Sequence, residues 1–314
     1  MKMLGTRWGN CLVLVILALM PCAVRAQQGD NAVWASGTSI QGSGAFVDAA
    51  AFCGSSGSSN CGGSTDFCTV LSSALASLMS LSPPGGVVDA RGVVPAPSGS
   101  GGGGSQNCGS DPFSGISAPN SVPIMVLLPA STINMAKTWI LPNNVRLVGE
   151  GAFTELTDQS PFTGSNFITM GSSSICPGST PACSGISVEH LKLEQPLNET
   201  VVLGGIVNQY AVQSSYVNDI TFQYLNGIGM LVEAGAAHSG PYTDFNFTAG
   251  SQDSGVCLDI EAQTQGLHGI TCHGNSLTLV TDTYAGIIVN SGNNSLEDVH
   301  IEDYWDPLGF RAFR

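Results

Sequence analysis

The chain has 314 residues, 40 of them glycine, with 43% hydrophobic and only 10% charged. That balance excludes a disordered chain, and the lack of a Gly-X-Y period excludes collagen. A net charge of −14 excludes the basic face expected of a nucleic-acid binder. Few charges together with many Gly, Ser, Thr and Asn point to β-structure rich in turns.

Residues 1–26 read as a secretory signal peptide. Lys2 and Arg7 give a positive start, an apolar run extends from Cys11 to Val24, and Val24-Arg25-Ala26 forms a cleavage site before Gln27. The run is too short and wrongly flanked for a stable membrane span, and Pro21 before Cys22 argues against a lipoprotein anchor. No later stretch is long and apolar enough to cross a bilayer. The expectation is a secreted protein, extracellular or periplasmic. Losing Lys2, Arg7 and Arg25 leaves a mature charge of 6 − 23 = −17.

Ten cysteines become eight once Cys11 and Cys22 are removed. An even number in an exported chain implies disulfides. Cys176 and Cys183 flank a short turn-rich loop, and Cys257 and Cys272 lie within one turn of the repeat described below. Cys53, Cys61, Cys68 and Cys108 remain for the N-terminal region with their pairing open. No cysteine spacing suits zinc.

The next elements form an N-terminal cap region, 27–110. Thr65 or Asp66 can cap a helix running to about Leu81, on which Phe67, Val70, Leu71, Ala74, Leu75, Leu78 and Met79 recur at helical spacing. Pro83-Pro84-Gly85-Gly86 ends it, and Val87-Val88 starts an extended segment. Residues 95–110 read as a surface loop rich in Pro, Gly and Ser. Its Gly99-x-Gly101-x-x-Gly104 matches the dinucleotide fingerprint by chance, with no strand before it or helix after it.

The body, 111–314, is repetitive. An apolar residue, two others, an apolar residue, one other and an apolar residue recur as Val188/Leu191/Leu193, Val217/Ile220/Phe222, Tyr242/Phe245/Phe247, Leu267/Ile270/Cys272 and Leu296/Val299/Ile301. The steps are 29, 25, 25 and 29 residues. A second short strand recurs between copies, at Gly205-Ile206, Gly227–Val232, Gly255–Ile260 and Gly286–Val289. Self-similarity at this period, with short alternating strands and no helix between them, predicts an all-β solenoid whose coils stack about 4.8 Å apart around one core. The pattern places Ile220, Phe245, Ile270 and Val299 in one interior ladder.

Residues 65–156 resemble the N-terminal part of the pectate-lyase-like, or rhamnogalacturonase/epimerase-like, right-handed parallel β-helices. The resemblance is carried by the helix and its Gly85-Gly86 break, by Leu127-Leu128-Pro129-Ala130-Ser131-Thr132, and by Leu141-Pro142-Asn143-Asn144-Val145-Arg146-Leu147-Val148-Gly149-Glu150-Gly151. It implies a right-handed parallel β-helix whose open N-terminal end is covered by the short α-helix. It also implies a carbohydrate-active protein, a glycoside hydrolase or polysaccharide lyase. The fold alone hosts many activities.

The acidic motifs of galacturonan hydrolases of this fold are absent, since the matching strand starts read Leu225-Asn226-Gly227, Asp253-Ser254-Gly255 and Ala285-Gly286. The Arg-centred, calcium-assisted arrangement of pectate lyases is absent too. The acidic chain would repel pectin at low salt, so an uncharged glycan fits better. No cofactor is predicted, and calcium has no motif to support it.

Strand parity turns Lys192, Glu194, Thr221, Gln223, Asn246, Thr248, Thr271, His273, His300 and Glu302 outward. His273 and Glu302 then neighbour each other on adjacent coils, with His300 about 7 Å along the strand. A carboxylate beside imidazoles can manage the proton traffic of glycosidic cleavage, which makes His273, His300 and Glu302 the candidate catalytic residues, and Asp303 and Trp305 the candidate substrate-binding residues. A second column, His190, Asp219, Asp244, Gly269 and Asp298, could supply calcium ligands, but Asp and Gly are also what a tight turn requires. Asn198, Asn246 and Asn293 head N-x-Ser/Thr sequons.

The chain stops about a dozen residues after the last repeat strand, which leads us to expect a further coil region or another chain at that open end. Two functions are compatible with these residues: a secreted enzyme acting on a polysaccharide, or a non-catalytic protein that binds a glycan or cell surface.

Overall fold

The computed structural model describes residues 45–53, 66–82, 84–93, 105–116, 122–176, 182–197, 199–250, 255–274, 285–303 and 306–310. All lie in one compact unit, Ala32–Arg314. Residues 1–26, expected to be a signal peptide, the sequon Asn198 and the candidate Trp305 fall outside the described residues.

The elements are β1 (Ala45–Asp48), α1 (Phe67–Met79), β2 (Gly86–Asp89), β3 (Ser105–Cys108), β4 (Ile124–Leu127), β5 (Thr132–Leu141), β6 (Val145–Val148), β7 (Glu155–Met170), β8 (Ser187–Glu194) and β9 (Gly204–Asn208). They continue with β10 (Tyr216–Leu225), β11 (Met230–Val232), β12 (Tyr242–Ala249), β13 (Leu258–Ile260), β14 (Leu267–His273), β15 (Ala285–Val289), β16 (Leu296–Glu302) and β17 (Asp306–Phe310). The described residues are therefore mostly β with one short α-helix. The strand pairings are parallel, and each strand typically pairs with the one two places further along the chain. The chain thus alternates between two rows of strands. One row runs β1, β2, β4, β6, β8, β10, β12, β14, β16, and the other β3, β5, β7, β9, β11, β13, β15, β17.

The repeat residues meet in register. Leu191, Ile220, Phe245, Ile270 and Val299 form one column, and Leu193, Phe222, Phe247, Cys272 and Ile301 another. All are buried except Val299 and Ile301 of β16, which are partly buried against the same core. The second row supplies a facing column of Ile168, Ile206, Met230, Leu258 and Ile287. Space between the rows is tight. A Cβ on Gly205 would lie 2.5 Å from the Phe222 ring and 2.4 Å from the Gly229 carbonyl, so the bulk of the inward phenylalanine requires glycine there. The Cys257–Cys272 disulfide links β14 to the segment entering β13.

At β8 the first row takes two partners. Ser187–Glu189 pair with β6, Lys192–Glu194 pair with the start of β7, and His190 stands between. From there on each strand of the row carries one left-handed residue at this place: His190, Asp219, Asp244, Gly269 and Asp298, with φ of 54–68°. The column expected to form a tight turn before each strand instead makes a left-handed kink inside it, a region that short polar residues and glycine tolerate best. His190 Nδ1 and Asp219 Oδ2 are 2.7 Å apart along it.

The head departs from expectation in three ways. The helix ends at Met79, not about Leu81, while its cap is Asp66, one of the two expected, whose carboxylate accepts from Thr69 N at 2.9 Å. Part of the proposed 95–110 loop is strand: β3 pairs with β5, since Gln106 is buried and donates to Val93 O at 2.8 Å and Ser131 Oγ at 3.1 Å. The parallel network also begins at β1, ahead of residue 111 where the repetitive body was expected to start. The buried face of α1 packs on β1, β2 and β3. The Cys68–Cys108 disulfide and a 2.6 Å hydrogen bond from Gly109 N to Asp66 tie it there. Cys176–Cys183 closes its loop as expected, and Cys53 is also disulfide-bonded.

Candidate functional site

Two columns of outward side chains run across the strands beside the Leu193–Ile301 core column. One holds Glu155, Lys192, Thr221, Asn246, Thr271 and His300; the other holds Thr157, Glu194, Gln223, Thr248, His273 and Glu302. Parallel strands space the rungs about 4.8 Å apart, and residues two apart on a strand lie about 7 Å apart, so the columns form a regular polar lattice. Its charges are concentrated at its two ends. At one, Lys192 Nζ lies 2.7 Å from Glu155 and also contacts Glu194. The middle three rungs carry no Lys, Arg, Asp or Glu, and their one ionisable side chain is His273.

At the other end the structure brings together all three candidate catalytic residues. Glu302 Oε1 lies 2.5 Å from His300 Nε2, and Oε2 lies 3.2 Å from His273 Nδ1. The imidazole centroids are 6.3 Å apart at 66°. The hydrogen bond from His300, its charge and that of His273 hold the exposed Glu302 carboxyl below its ordinary value. A carboxyl lowered in this way accepts hydrogen bonds and has no proton to give near neutral pH, and it is a weaker base than an ordinary carboxylate. Asp303 follows in a left-handed turn with φ of 60° and is exposed.

Other polar clusters were not legible beforehand. Arg146 donates to Glu189 and to the Tyr216 hydroxyl, both at 2.8 Å, and Tyr216 and Ser187 donate to the same Glu189 oxygen. Burial pushes the Glu189 carboxyl up, but these hydrogen bonds outweigh it and the net displacement is downward. The network braces β6, β8 and β10. The signal that could have found it is register, because Arg146 faces Ser187 and Ser187 faces Tyr216. Asp111 is 6% exposed, and burial pushes its carboxyl up to about 6, even though the Phe113 and Ile140 amides donate to it. Among the described residues no group of three or more His, Cys, Asp or Glu is placed to hold a metal ion. No described helix is long and apolar enough to cross a membrane.

Fold and site together define a mostly-β, disulfide-linked protein of stacked parallel strands carrying an outward, largely half-buried polar lattice. Compared with protein-family models, curated proteins and solved structures, the chain matches none of them.

Proposed function

We propose that this chain is an exported, right-handed parallel β-helix of the pectate-lyase-like kind that binds an extended, uncharged polysaccharide along its outer polar lattice. The observation that carries the reading is the pair of in-register columns, whose uncharged middle offers Thr221, Gln223, Asn246, Thr248 and Thr271 at regular spacing. Hydroxyl and amide side chains donate and accept, which is what sugar hydroxyls require. Two rows of parallel strands alternating along the chain support the β-helix, and a crossover between parallel strands is almost always right-handed. The disulfides are compatible with an oxidising compartment. Because the mature chain is so acidic, a polyanionic sugar meets repulsion that an uncharged one does not.

A second reading is cleavage of the bound glycan. It is favoured by the contact of one carboxylate with two imidazoles, an arrangement in which Glu302 acts as base. Both readings are tested by one screen of the mature chain against neutral and acidic polysaccharides, reading retention, reducing-end release and new absorbance from unsaturated products. Retention on a neutral glycan without products supports binding, and products remove it in favour of cleavage. No retention and no products on any glycan refute both.

A further inference from the structure

We infer that Glu302 is a positioning residue that fixes one tautomer on each of His273 and His300, leaving each ring with a bare nitrogen that accepts a hydrogen bond from a sugar hydroxyl. The ligand half of this inference rests on the glycan reading above. The positioning half stands on the geometry alone.

An ionised carboxylate only accepts hydrogen bonds. The two oxygens of Glu302 face two different ring atoms, Nε2 of His300 at 2.5 Å and Nδ1 of His273 at 3.2 Å. Both facing nitrogens must therefore carry hydrogen. Once the rings are neutral, each imidazole has one N–H, so in that form the remaining nitrogens, Nδ1 of His300 and Nε2 of His273, are lone-pair acceptors, whereas the protonated rings that lower Glu302 have none. The side chains are 61% and 38% exposed, so an external ligand can reach the rings. The assignment for His273 is the diagnostic one. A free neutral histidine prefers the hydrogen on Nε2, and only a partner at Nδ1 reverses that preference.

The polar lattice explains why such acceptors belong at this end. Thr271 faces His300 across the rung, and Thr248 faces His273. These hydroxyls rotate and adapt, whereas an imidazole with its tautomer fixed presents a rigid acceptor. A glycan lying along the columns would end its run of adaptable contacts at two fixed ones. The ligand class is then a polysaccharide with free hydroxyls, and its O-methylated counterpart, which cannot donate, is discriminated against.

The test uses the mature chain at pH 8, with long-range 1H–15N correlation of the histidine rings. The expected result is a protonated Nδ1 and a bare Nε2 on His273, with the reverse on His300. Glu302→Gln returns His273 to the Nε2–H form, and Glu302→Asp retains part of the Nδ1–H population. Nε2–H on His273 in the parent chain overturns the inference, whatever the glycan result. In the binding arm, affinity for the retained neutral polysaccharide falls on the order of tenfold in Glu302→Gln, equivalent to one hydrogen bond of ordinary strength. Binding falls similarly on O-methylation of the glycan. Unchanged affinity in both comparisons overturns the ligand half, as does a loss of binding on chelation, which would put a metal ion on those nitrogens. A parent chain that retains no glycan yet has both tautomers refutes the glycan reading and upholds the positioning by Glu302.

Discussion

At Asp244 the backbone stands at φ 60°, where a β-branched side chain collides with its own backbone. Aspartate tolerates the position and glycine is indifferent to it. Asp244→Val should therefore cost about 1–2 kcal/mol, while Asp244→Gly changes stability by only a few tenths. Urea denaturation at neutral pH measures both, and equal stability of the two variants would contradict the left-handed column. Gly269 is the same device in its neighbouring strand. A Cβ there would lie 2.6 Å from Asp244 Oδ1, so Gly269→Ala adds a clash to the conformational strain. This column was legible in sequence as a turn, because residue chemistry at a fixed place in the repeat announces one, although the structure sets it as a kink inside each strand. The contacts of Asp111 and Gln106 were not. Each depends on partners that no local pattern brings near, Ile140 in one case and Ser131 in the other.

Among the elements, the repeat strands were the easiest to read. Apolar residues at fixed offsets from Val188 to Ile301 mark the inward side, and parity then gives the outward one. β3 was missed because Ser105-Gln106-Asn107-Cys108 has no apolar alternation and sits beside a glycine run. It is held by a disulfide, by the buried Gln106 and by an exposed Asn134 to Asn107 hydrogen bond of 3.2 Å. The sixteen residues of β7 were missed for the same reason, since Pro161 and Gly164 interrupt any pattern. The head is held by apolar burial: Leu75 is 2% exposed in α1. Leu75→Ala should destabilise the protein by about 2–5 kcal/mol, measured by urea denaturation, and a loss below about 1 kcal/mol would argue against packing of α1 on the first strands.

The turn at Asp111 couples this head to β5 and gives the element a pH response. Its carboxyl sits at about 6 in the folded chain against 3.8 unperturbed, so the folded state binds the proton more tightly. That contribution to stability is fully present below about pH 3.8 and is lost as pH rises through about 6. Its size is on the order of 2–3 kcal/mol. Asp158 and Glu233, both raised first by burial, act in the same direction. Asp89, Glu189 and Glu302 are lowered, so their contributions are lost only as pH falls through and below the ordinary carboxylate range. Denaturation between pH 5 and 7.5 should find the parent chain less stable at 7.5, with a flatter dependence in Asp111→Asn. An identical slope in the two proteins would remove Asp111 from this role.

At the scale of the whole molecule, two opposed properties meet. The chain carries a net charge of −14, yet the outer lattice has an uncharged middle and ion-paired ends. The candidate residues His273, His300 and Glu302 were legible from parity and repeat spacing, which fix neighbours across rungs. What parity could not give was the electrostatics, in which the two imidazoles lower the Glu302 carboxyl. The most direct measurement of the central claim is the affinity of the mature chain for a neutral polysaccharide, compared with Asn246→Glu at the middle of the lattice. Asn246 is exposed on β12, so the substitution should leave the fold within about 0.5 kcal/mol of the parent. The account predicts retention by the parent that is insensitive to salt, and a loss of about tenfold or more in Asn246→Glu. Unchanged affinity in the variant, or tighter binding of pectin than of neutral glycans at low salt, would contradict it.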